Sequence, residues 1–185
     1  FDAAQRGKKA PFAALVFALC TPLRRKVQSM LFGPRFEFAV CGAAKLSPPT
    51  VEFFAMLQIE VLEGYGLTET CVANTVARSG ANALGSVGQP LADDVKLRLA
   101  EDGEILIRGP HVAKGYYQRP TATAAAWDSE GWFHTGDLGA IDTAGNLTIV
   151  GRKKEILITA GGKNVASYEV EKRLNASPLV GYSLL

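Results

Sequence analysis

The order of the elements in the first third of the chain constrains the fold more than any other feature of the sequence. A short apolar strand at 36–40 is followed by a Ser-Pro-Pro sequence at 47–49, which is typical of the first turn of a helix. A second short apolar strand lies at 61–62. The strand–helix–strand order predicts one unit of a parallel α/β sheet. Ligands of such sheets bind at the carboxyl ends of strands, where this sequence has glycine-rich turns at 42–44 and 64–66.

The second half of the chain predicts a different, antiparallel sheet. Residues 95–99 and 104–108 alternate on either side of a turn that contains Gly103, which predicts a β-hairpin. A second hairpin is predicted from strands at 138–141 and 147–150. The remaining predicted elements are a helix capped by Thr121, a strand at 155–158 and a helix at 168–175.

A helix is also predicted before the first strand, with Thr21 as its cap and Gly33 at its end. Leu23, Val27, Met30 and Leu31 recur at helical spacing on one face, and Arg24, Arg25 and Gln28 lie opposite. We expect the apolar stripe to pack in the core. The alternative is docking on a membrane surface, because residues 1–35 hold seven basic residues and one acidic residue.

The composition is that of an ordinary globular protein and argues against a nucleic-acid partner and a structural zinc site. The chain has 185 residues, of which 48% are hydrophobic and 21% charged, an ordinary balance for a globular protein. The net charge of +2 gives no reason to expect a nucleic-acid partner. Three widely spaced cysteines without a Cys-x-x-Cys motif predict a reducing compartment and no structural zinc.

Four polar, glycine-rich segments carry the candidate chemistry. In the first, at 64–70, Tyr65 offers a flat aromatic face, Thr68 a hydroxyl and Glu69 a hard oxygen donor suited to Mg²⁺. The segment lacks the third glycine of a dinucleotide-binding fingerprint. Taken by itself, it is more typical of a turn with a capping threonine.

The other three segments lie in the second half of the chain. In 132–138, the carboxylate of Asp137 can accept hydrogen bonds from a ribose diol, and His134 is expected to be a packed or solvated imidazole. In 151–155, Arg152 suits a phosphate or a ribose edge, although charge runs are usually solvated. The fourth, at 160–165, lacks the glycine spacing of a P-loop, so a flexible loop is its alternative interpretation.

The order and spacing of these segments together resemble the adenylate-forming superfamily of acyl-CoA synthetases, luciferases and peptide-synthetase adenylation domains. The sequences GYGLTET, GWFHTGDLG and GRKKEILITAGGKNV are most similar to the AMP-forming long-chain fatty acyl-CoA ligases. The resemblance covers nearly the whole chain.

The resemblance implies a role for each matching residue. Thr68, Glu69 and Arg152 are implied as catalytic residues, with Thr68 on the α-phosphate and Glu69 as the Mg²⁺ ligand. Tyr65 would stack on adenine and Asp137 would accept the ribose hydroxyls. The remaining positions implied in binding nucleotide, acyl group or coenzyme A, or in the hinge, are Gly42, Ala43, Ala44, Gly66, Lys154, Gly162 and Lys163.

The implied activity is an ATP-dependent ligation in two steps, through an acyl-adenylate to acyl-CoA. ATP (giving AMP), Mg²⁺ and coenzyme A are the implied cofactors and substrates, with a fatty acid as the acyl donor. The expected location is the cytoplasm, with peripheral contact to a membrane as a second expectation.

The implied fold class is α/β: part of a doubly wound parallel sheet, then a small antiparallel β unit and the start of an α+β C-terminal subdomain. Residues 1–78 would be the distal part of the large adenylation domain and 79–150 an antiparallel β subdomain. Residues 151–185 would hold the hinge and the beginning of the mobile subdomain. We therefore expect a fragment that is inactive alone and self-associates through its cut surfaces.

Two other functions fit the sequence. A fatty acyl-AMP ligase would pass the acyl group to a carrier protein instead of coenzyme A. A non-catalytic module would bind a membrane or a protein partner through residues 1–35, and would not need Glu69 or Asp137.

Overall fold

The computed structural model describes residues 19–43, 46–71, 73–80, 85–158, 164–175, 177 and 179–184. Contacts divide the chain into two compact units, Phe1–Glu63 and Gly64–Leu185. Each unit is described by itself. Within the described residues, no helix has the length and apolar character needed to cross a membrane.

The first unit contains the predicted strand–helix–strand arrangement. Its elements are α1 (Thr21–Phe32), β1 (Phe38–Cys41), α2 (Pro48–Met56) and the larger part of β2 (Glu60–Tyr65). Strands β1 and β2 pair in parallel, with Phe38 opposite Glu60 and Cys41 opposite Glu63. Ser47 caps α2, since its hydroxyl accepts from the Thr50 amide at 3.3 Å. The prediction of a partly parallel α/β sheet is confirmed.

Helix α1 differs from its prediction in two ways. Its N-cap is Cys20, and Thr21 is the first helical residue, whose hydroxyl accepts from the Arg24 guanidinium at 2.9 Å. The helix turns Arg24 inward, leaving that residue 8% exposed, and the apolar stripe consequently faces solvent. Leu23 and Met30 are 65% and 77% exposed, so the expectation that this stripe packs in the core is wrong.

The second unit is built on an antiparallel sheet in the order β5 (Lys96–Leu99), β6 (Glu104–Arg108), β7 (Phe133–Ile141) and β8 (Leu147–Arg152). Both predicted hairpins are present, and Gly103 turns the first with a φ of +84°. Ile105, Ile107 and Leu147 form the buried core together with Tyr65.

Strand β6 is buried on both faces, which its alternating sequence did not predict. Ile105 and Ile107 are fully buried, and Glu104 and Leu106 are only 6% and 4% exposed. A carboxylate buried in a central strand is costly unless donors surround it. Glu104 therefore has to be satisfied by its neighbours, and its partners prove to lie beside the candidate site.

The remaining elements are short. Strand β3 (Thr75–Val76) pairs antiparallel with the end of β2, and β4 (Gln89–Pro90) pairs antiparallel with β3. The sequence did not predict these two strands. Helix α3 (Pro120–Ala126) has Arg119 at its N-cap position, without a capping side-chain hydrogen bond, so the predicted cap Thr121 lies inside its first turn. Strands β9 (Ile156–Ile158) and β10 (Asn164–Ala166) pair antiparallel and precede α4 (Ser167–Asn175).

Candidate functional site

A β-bulge in strand β7 organises the candidate site. Glu104 pairs with Leu138 and Leu106 pairs with His134, so Ile105 of β6 faces three residues of β7, at 135–137. Gly136 sits at the bulge with a φ of +72°, a conformation that favours glycine.

Side chains replace the lost backbone pairing at this bulge. The Thr135 hydroxyl donates to the Ile105 carbonyl at 2.8 Å and accepts from the Asp137 amide at 3.1 Å. The Gly136 amide donates to Glu104 Oε1 at 2.9 Å. The backbone on either side of Gly136 is therefore held by hydrogen bonds to side chains.

The bulge presents the carboxylate of Asp137 to two partners. The Tyr65 hydroxyl donates to Asp137 Oδ2 at 2.6 Å. Arg152, directly opposite on β8, places Nε 3.0 Å from Oδ1. The Asp137 side chain is 7% exposed and that of Arg152 is 57% exposed. The site thus combines a fixed, buried carboxylate with an open guanidinium.

Tyr65 donates a hydrogen bond to Asp137 from an uncharged hydroxyl. Burial, and then the hydrogen bond to Asp137, raise the pKa of Tyr65 far above its usual range. The ring is 9% exposed and packs with Ile105, Ile107 and Leu147. Its hydroxyl therefore keeps its proton throughout the physiological range and fixes one oxygen of Asp137.

A second part of the site surrounds Glu69. This residue lies in a short 3₁₀ turn, Thr68–Thr70, which directly follows the glycine turn after β2. The Tyr116 hydroxyl donates to Glu69 Oε1 at 2.9 Å, and the Glu69 carbonyl accepts from the Ala113 amide at 2.7 Å. The Tyr116 ring packs edge-on against Trp127, with centroids 5.2 Å apart. Glu69 is thus oriented by a segment more than forty residues away in sequence.

Glu104 is the centre of a third, charged cluster. Its Oε2 atom lies 3.0 Å from Lys153 Nζ and 3.2 Å from His134 Nδ1, and Lys153 also pairs with Asp102. Burial acts to raise the pKa of Glu104, but the bonds from Lys153, His134 and the Gly136 amide outweigh it and lower the pKa. Hydrogen bonds to Asp102 and Glu104 raise the pKa of Lys153.

These shifts predict a pH dependence of stability. A carboxyl group with a lowered folded-state pKa stabilises the fold above its unfolded pKa, near 4.5 for glutamate, and this contribution is lost as the pH falls through the folded value. Glu104→Gln should therefore lose less stability than the wild type between about pH 6 and about pH 3.5. Urea unfolding midpoints measured at both pH values test this.

Glu101→Gln is the matched control, because Glu101 is an exposed carboxylate of the same hairpin. This variant should keep the acid sensitivity of the wild type. An equal acid loss in Glu104→Gln would contradict the prediction.

The structure brings together some of the residues singled out from the sequence. Tyr65 and Arg152 both contact Asp137 directly. Thr68 is exposed beside Glu69, and Gly66 lies between β2 and the 3₁₀ turn. Their roles toward a ligand stay predictions.

The other predicted residues lie in other elements or outside the described residues. Gly42 and Ala43 are exposed at the carboxyl end of β1, in the first unit. Lys154 is exposed in the 3₁₀ turn Lys153–Glu155 that follows β8. Ala44, Gly162 and Lys163 lie outside the described residues.

Sequence reasoning missed the residues that support the site. Glu104, Thr135 and Tyr116 each bond a candidate site residue or its neighbour, and Lys153, next to Arg152, bonds Glu104. A glutamate at the start of a mostly apolar strand was the available signal, because a buried carboxylate requires partners. His134 is in fact such a partner and is half-buried against Glu104.

Comparison with known proteins assigns the family. A family model described as AMP-binding enzyme matches residues 10–117. The chain belongs to this family of AMP-binding enzymes. The match includes Tyr65, Glu69 and Tyr116, while Asp137 and Arg152 follow it in the sequence.

Several AMP-binding relatives are CoA ligases. The long-chain-fatty-acid–CoA ligase FadD15 of Mycobacterium bovis is 42% identical over 180 residues, which are 97% of this chain and 28% of that enzyme. A Mycobacterium tuberculosis propanoyl:CoA ligase, named for a methyl-dioxo-octahydroindenyl group, is 48% identical over 143 residues, covering 75% of this chain and 28% of that enzyme. The chain thus spans about 28% of the length of these curated relatives.

A solved AMP-binding structure shares the fold. The O-succinylbenzoate coenzyme A synthetase MenE from Bacillus subtilis, in complex with AMP, matches with a TM-score of 0.71 at 30% identity. The match covers 80% of this chain and 32% of MenE. MenE has also been solved in complex with ATP and a magnesium ion, with a TM-score of 0.70 to this chain.

Proposed function

We propose that the chain is part of an ATP-dependent, AMP-forming ligase that joins a long-chain fatty acid to coenzyme A. One observation carries the proposal: Asp137 is held between Tyr65 and Arg152 in a chain that is 42% identical over 180 residues to a long-chain-fatty-acid–CoA ligase. In this proposal, residues 1–78 belong to a doubly wound adenylation domain and residues 151–185 begin a mobile subdomain.

Asp137 and Arg152 suit the nucleotide of such a ligase. A carboxylate accepts about four hydrogen bonds, so Asp137 retains capacity beside its bonds to Tyr65 and Arg152. The fork of Arg152, on a side chain that is 57% exposed, suits a phosphate or a ribose edge. MenE, which shares the fold, was solved with AMP bound, and this supports the assignment.

The adenine and acyl positions rest on the resemblance alone. In the proposal, Gly42, Ala43 and Ala44 line them. Tyr65 would stack on adenine, which requires one face of a ring that is now 9% exposed to be uncovered. The Tyr65 hydroxyl, by contrast, already has a defined task as the donor to Asp137.

Glu69 suits a magnesium ion by the chemistry of its donor group. Carboxylate oxygens are the ligands that Mg²⁺ takes in nucleotide sites, often together with substrate phosphates. The half-buried carboxylate of Glu69 is oriented by Tyr116, and the exposed hydroxyl of Thr68 is beside it in the chain. When bound, Mg²⁺ screens the charge of the phosphates.

The reaction consists of two displacements. The fatty acid carboxylate attacks the α-phosphorus of ATP, so that a P–O bond forms to the acyl oxygen and pyrophosphate leaves. The thiolate of coenzyme A then attacks the acyl carbon, and AMP leaves. Thr68 would position the α-phosphate and Arg152 would neutralise charge on the nucleotide. Lys154 would lie at the hinge, and Gly162 and Lys163 would line the pantetheine path.

The test is fatty-acid-dependent exchange of ³²P between pyrophosphate and ATP by the full-length protein. Exchange with long-chain fatty acids would support adenylation, and subsequent assays with coenzyme A and a carrier protein identify the acceptor. The panel should include short and polycyclic carboxylic acids, because one relative is named for a bicyclic propanoyl group. No exchange with any carboxylate would overturn the proposal.

The 185-residue chain itself is expected to form no acyl-CoA. It spans about 28% of the FadD15 ligase, so most of the groups that would enclose the substrates lie elsewhere in such an enzyme. The measurement is acyl-CoA formation from ATP, palmitate and coenzyme A by the purified chain, with the full-length protein as the positive control. Turnover by the purified chain would contradict this expectation.

A membrane-binding role is the second candidate, and one observation favours it. The exposed Leu23, Met30 and Leu31 share a helix with the exposed basic residues Arg25 and Lys26. Such a helix suits an anionic lipid surface. Sedimentation with phosphatidylserine vesicles tests this, and binding should weaken with salt and in Leu23→Gln. Unchanged binding in Leu23→Gln would exclude this surface.

A further inference from the structure

Asp137 and Arg152 are neighbours of two residues that share one partner. Gly136 directly precedes Asp137, and its amide donates to Glu104 Oε1 at 2.9 Å. Lys153 directly follows Arg152, and its ammonium group lies 3.0 Å from Glu104 Oε2. The two oxygens of one carboxylate thus hold the residue next to Asp137 on β7 and the residue next to Arg152 on β8, on the same side of the Asp137–Arg152 pair.

The backbone geometry makes this support necessary at Gly136. The bulge sets three residues of β7 opposite Ile105 alone, so the regular ladder between β6 and β7 is interrupted there. The Gly136 amide is partly withdrawn from solvent, and an amide in such a position is costly to leave without a partner. The carboxylate of Glu104 supplies that partner, and the position of the Asp137 backbone depends on it.

The burial of Glu104 makes the support rigid. The side chain is 7% exposed, and it accepts hydrogen bonds from the Gly136 amide, His134 Nδ1 and Lys153 Nζ. Hydrogen bonds to charged groups in a low-dielectric interior are stronger than those at the surface. A carboxylate with three donors has few alternative positions, and this fixes Gly136 and Lys153 relative to each other.

We propose that Glu104 is a positioning residue that aligns Asp137 and Arg152 for the nucleotide by holding Gly136 and Lys153. The inference rests on the proposed function, in which Asp137 and Arg152 bind the nucleotide. Glu104 acts only through these two neighbours. Its loss should therefore weaken nucleotide binding without altering the chemistry of the groups that face the ligand.

The first measurement is amide hydrogen exchange in the full-length protein, with no ligand present. Glu104→Gln keeps the shape of the side chain and replaces one acceptor oxygen by a donor. Exchange over 134–138 should become at least roughly tenfold faster, because the Gly136 amide loses a charged acceptor. Glu101→Gln, the matched exposed carboxylate, should leave it unchanged. Unchanged protection in Glu104→Gln would overturn the proposal.

The second measurement is AMP binding by isothermal titration calorimetry. Glu104→Gln should raise the Kd about 10- to 100-fold, the range expected when a binding group is misplaced. In a double-mutant cycle with Asp137→Asn, the two increases in Kd should be less than additive in free energy, because Glu104 acts in part through the Asp137 carboxylate. Fully additive losses would indicate a general structural role and would overturn the proposal.

The outcomes separate the inference from the proposed function. Wild-type protein that does not bind AMP would overturn the proposed function, and the positioning role with it. Wild-type protein that binds AMP, with equal affinity in Glu104→Gln, would overturn the positioning role and leave the proposed function standing. Lys153→Met removes only the contact between Glu104 and Lys153 and keeps the one between Glu104 and the Gly136 amide. It should therefore show a smaller increase in the Kd for AMP than Glu104→Gln.

Discussion

Replacing Glu69 with alanine is expected to lower ATP–pyrophosphate exchange by the full-length protein by about 10²- to 10³-fold. The carboxylate is the proposed magnesium ligand, and removing one group that stabilises developing charge typically costs about this much. Tyr116 holds Oε1 of this carboxylate at 2.9 Å, so the group is oriented before a ligand binds. The measurement is the initial rate of exchange at saturating ATP and fatty acid.

Two further variants test whether that loss of exchange comes from the Glu69 carboxylate itself. Tyr116→Phe removes the hydroxyl and keeps the ring against Trp127, so it should cost about tenfold or less, near the value of one hydrogen bond. Glu101→Ala removes an exposed carboxylate far from this turn in the sequence and should leave the rate unchanged. Exchange by Glu69→Ala within threefold of the wild type would exclude Glu69 from the reaction.

Replacing Asp137 with alanine is expected to affect both stability and binding. The substitution leaves the buried hydroxyl of Tyr65 without its acceptor, which costs about 1–3 kcal/mol of the free energy of unfolding. It also removes the carboxylate that is proposed to accept the ribose hydroxyls. Two lost charge-assisted hydrogen bonds correspond to at least about a 100-fold weaker affinity for AMP.

Native-state hydrogen exchange of the β6 and β7 amides measures the first effect, and calorimetry with AMP measures the second. Tyr65→Phe is the matched variant, since it removes the donor of the same hydrogen bond and retains the packed ring. In the double variant, the stability losses should be less than additive, because each single change breaks the same bond. Full stability of Asp137→Ala would show that the Tyr65 hydrogen bond contributes nothing.

Local signals predicted much of the fold. The hydroxyl of Ser47 and the prolines after it marked the start of α2, and Gly103 marked a hairpin, because capping and positive φ depend on a few adjacent residues. Strands β3 and β4 have two residues each, too few for any periodic pattern. Helix α1 was predicted, but the direction of its apolar face was not. That direction depends on Arg24, which turns inward.

The sequence pointed to the side chains of the candidate site but not to the residues that hold them in place. Tyr65, Glu69, Asp137 and Arg152 lie in polar, glycine-rich segments whose order and spacing together carry the resemblance. Their partners come from distant positions: Tyr116 is 47 residues from Glu69, and Glu104 is 32 residues from Gly136. Such contacts are set by strand register and by the bulge in β7, which the periodicity of a single strand does not encode.

The bulge at 135–137 has a consequence for protein engineering. Because Glu104 and Thr135 bond the backbone where the strand pairing is interrupted, the backbone conformation around Asp137 depends on β6 as well as on β7. A graft of residues 133–138 into another antiparallel sheet would transfer the aspartate without its orientation. A transferable module also needs β6 with its glutamate, and it needs Tyr65 and Arg152, which hold the two oxygens of the aspartate.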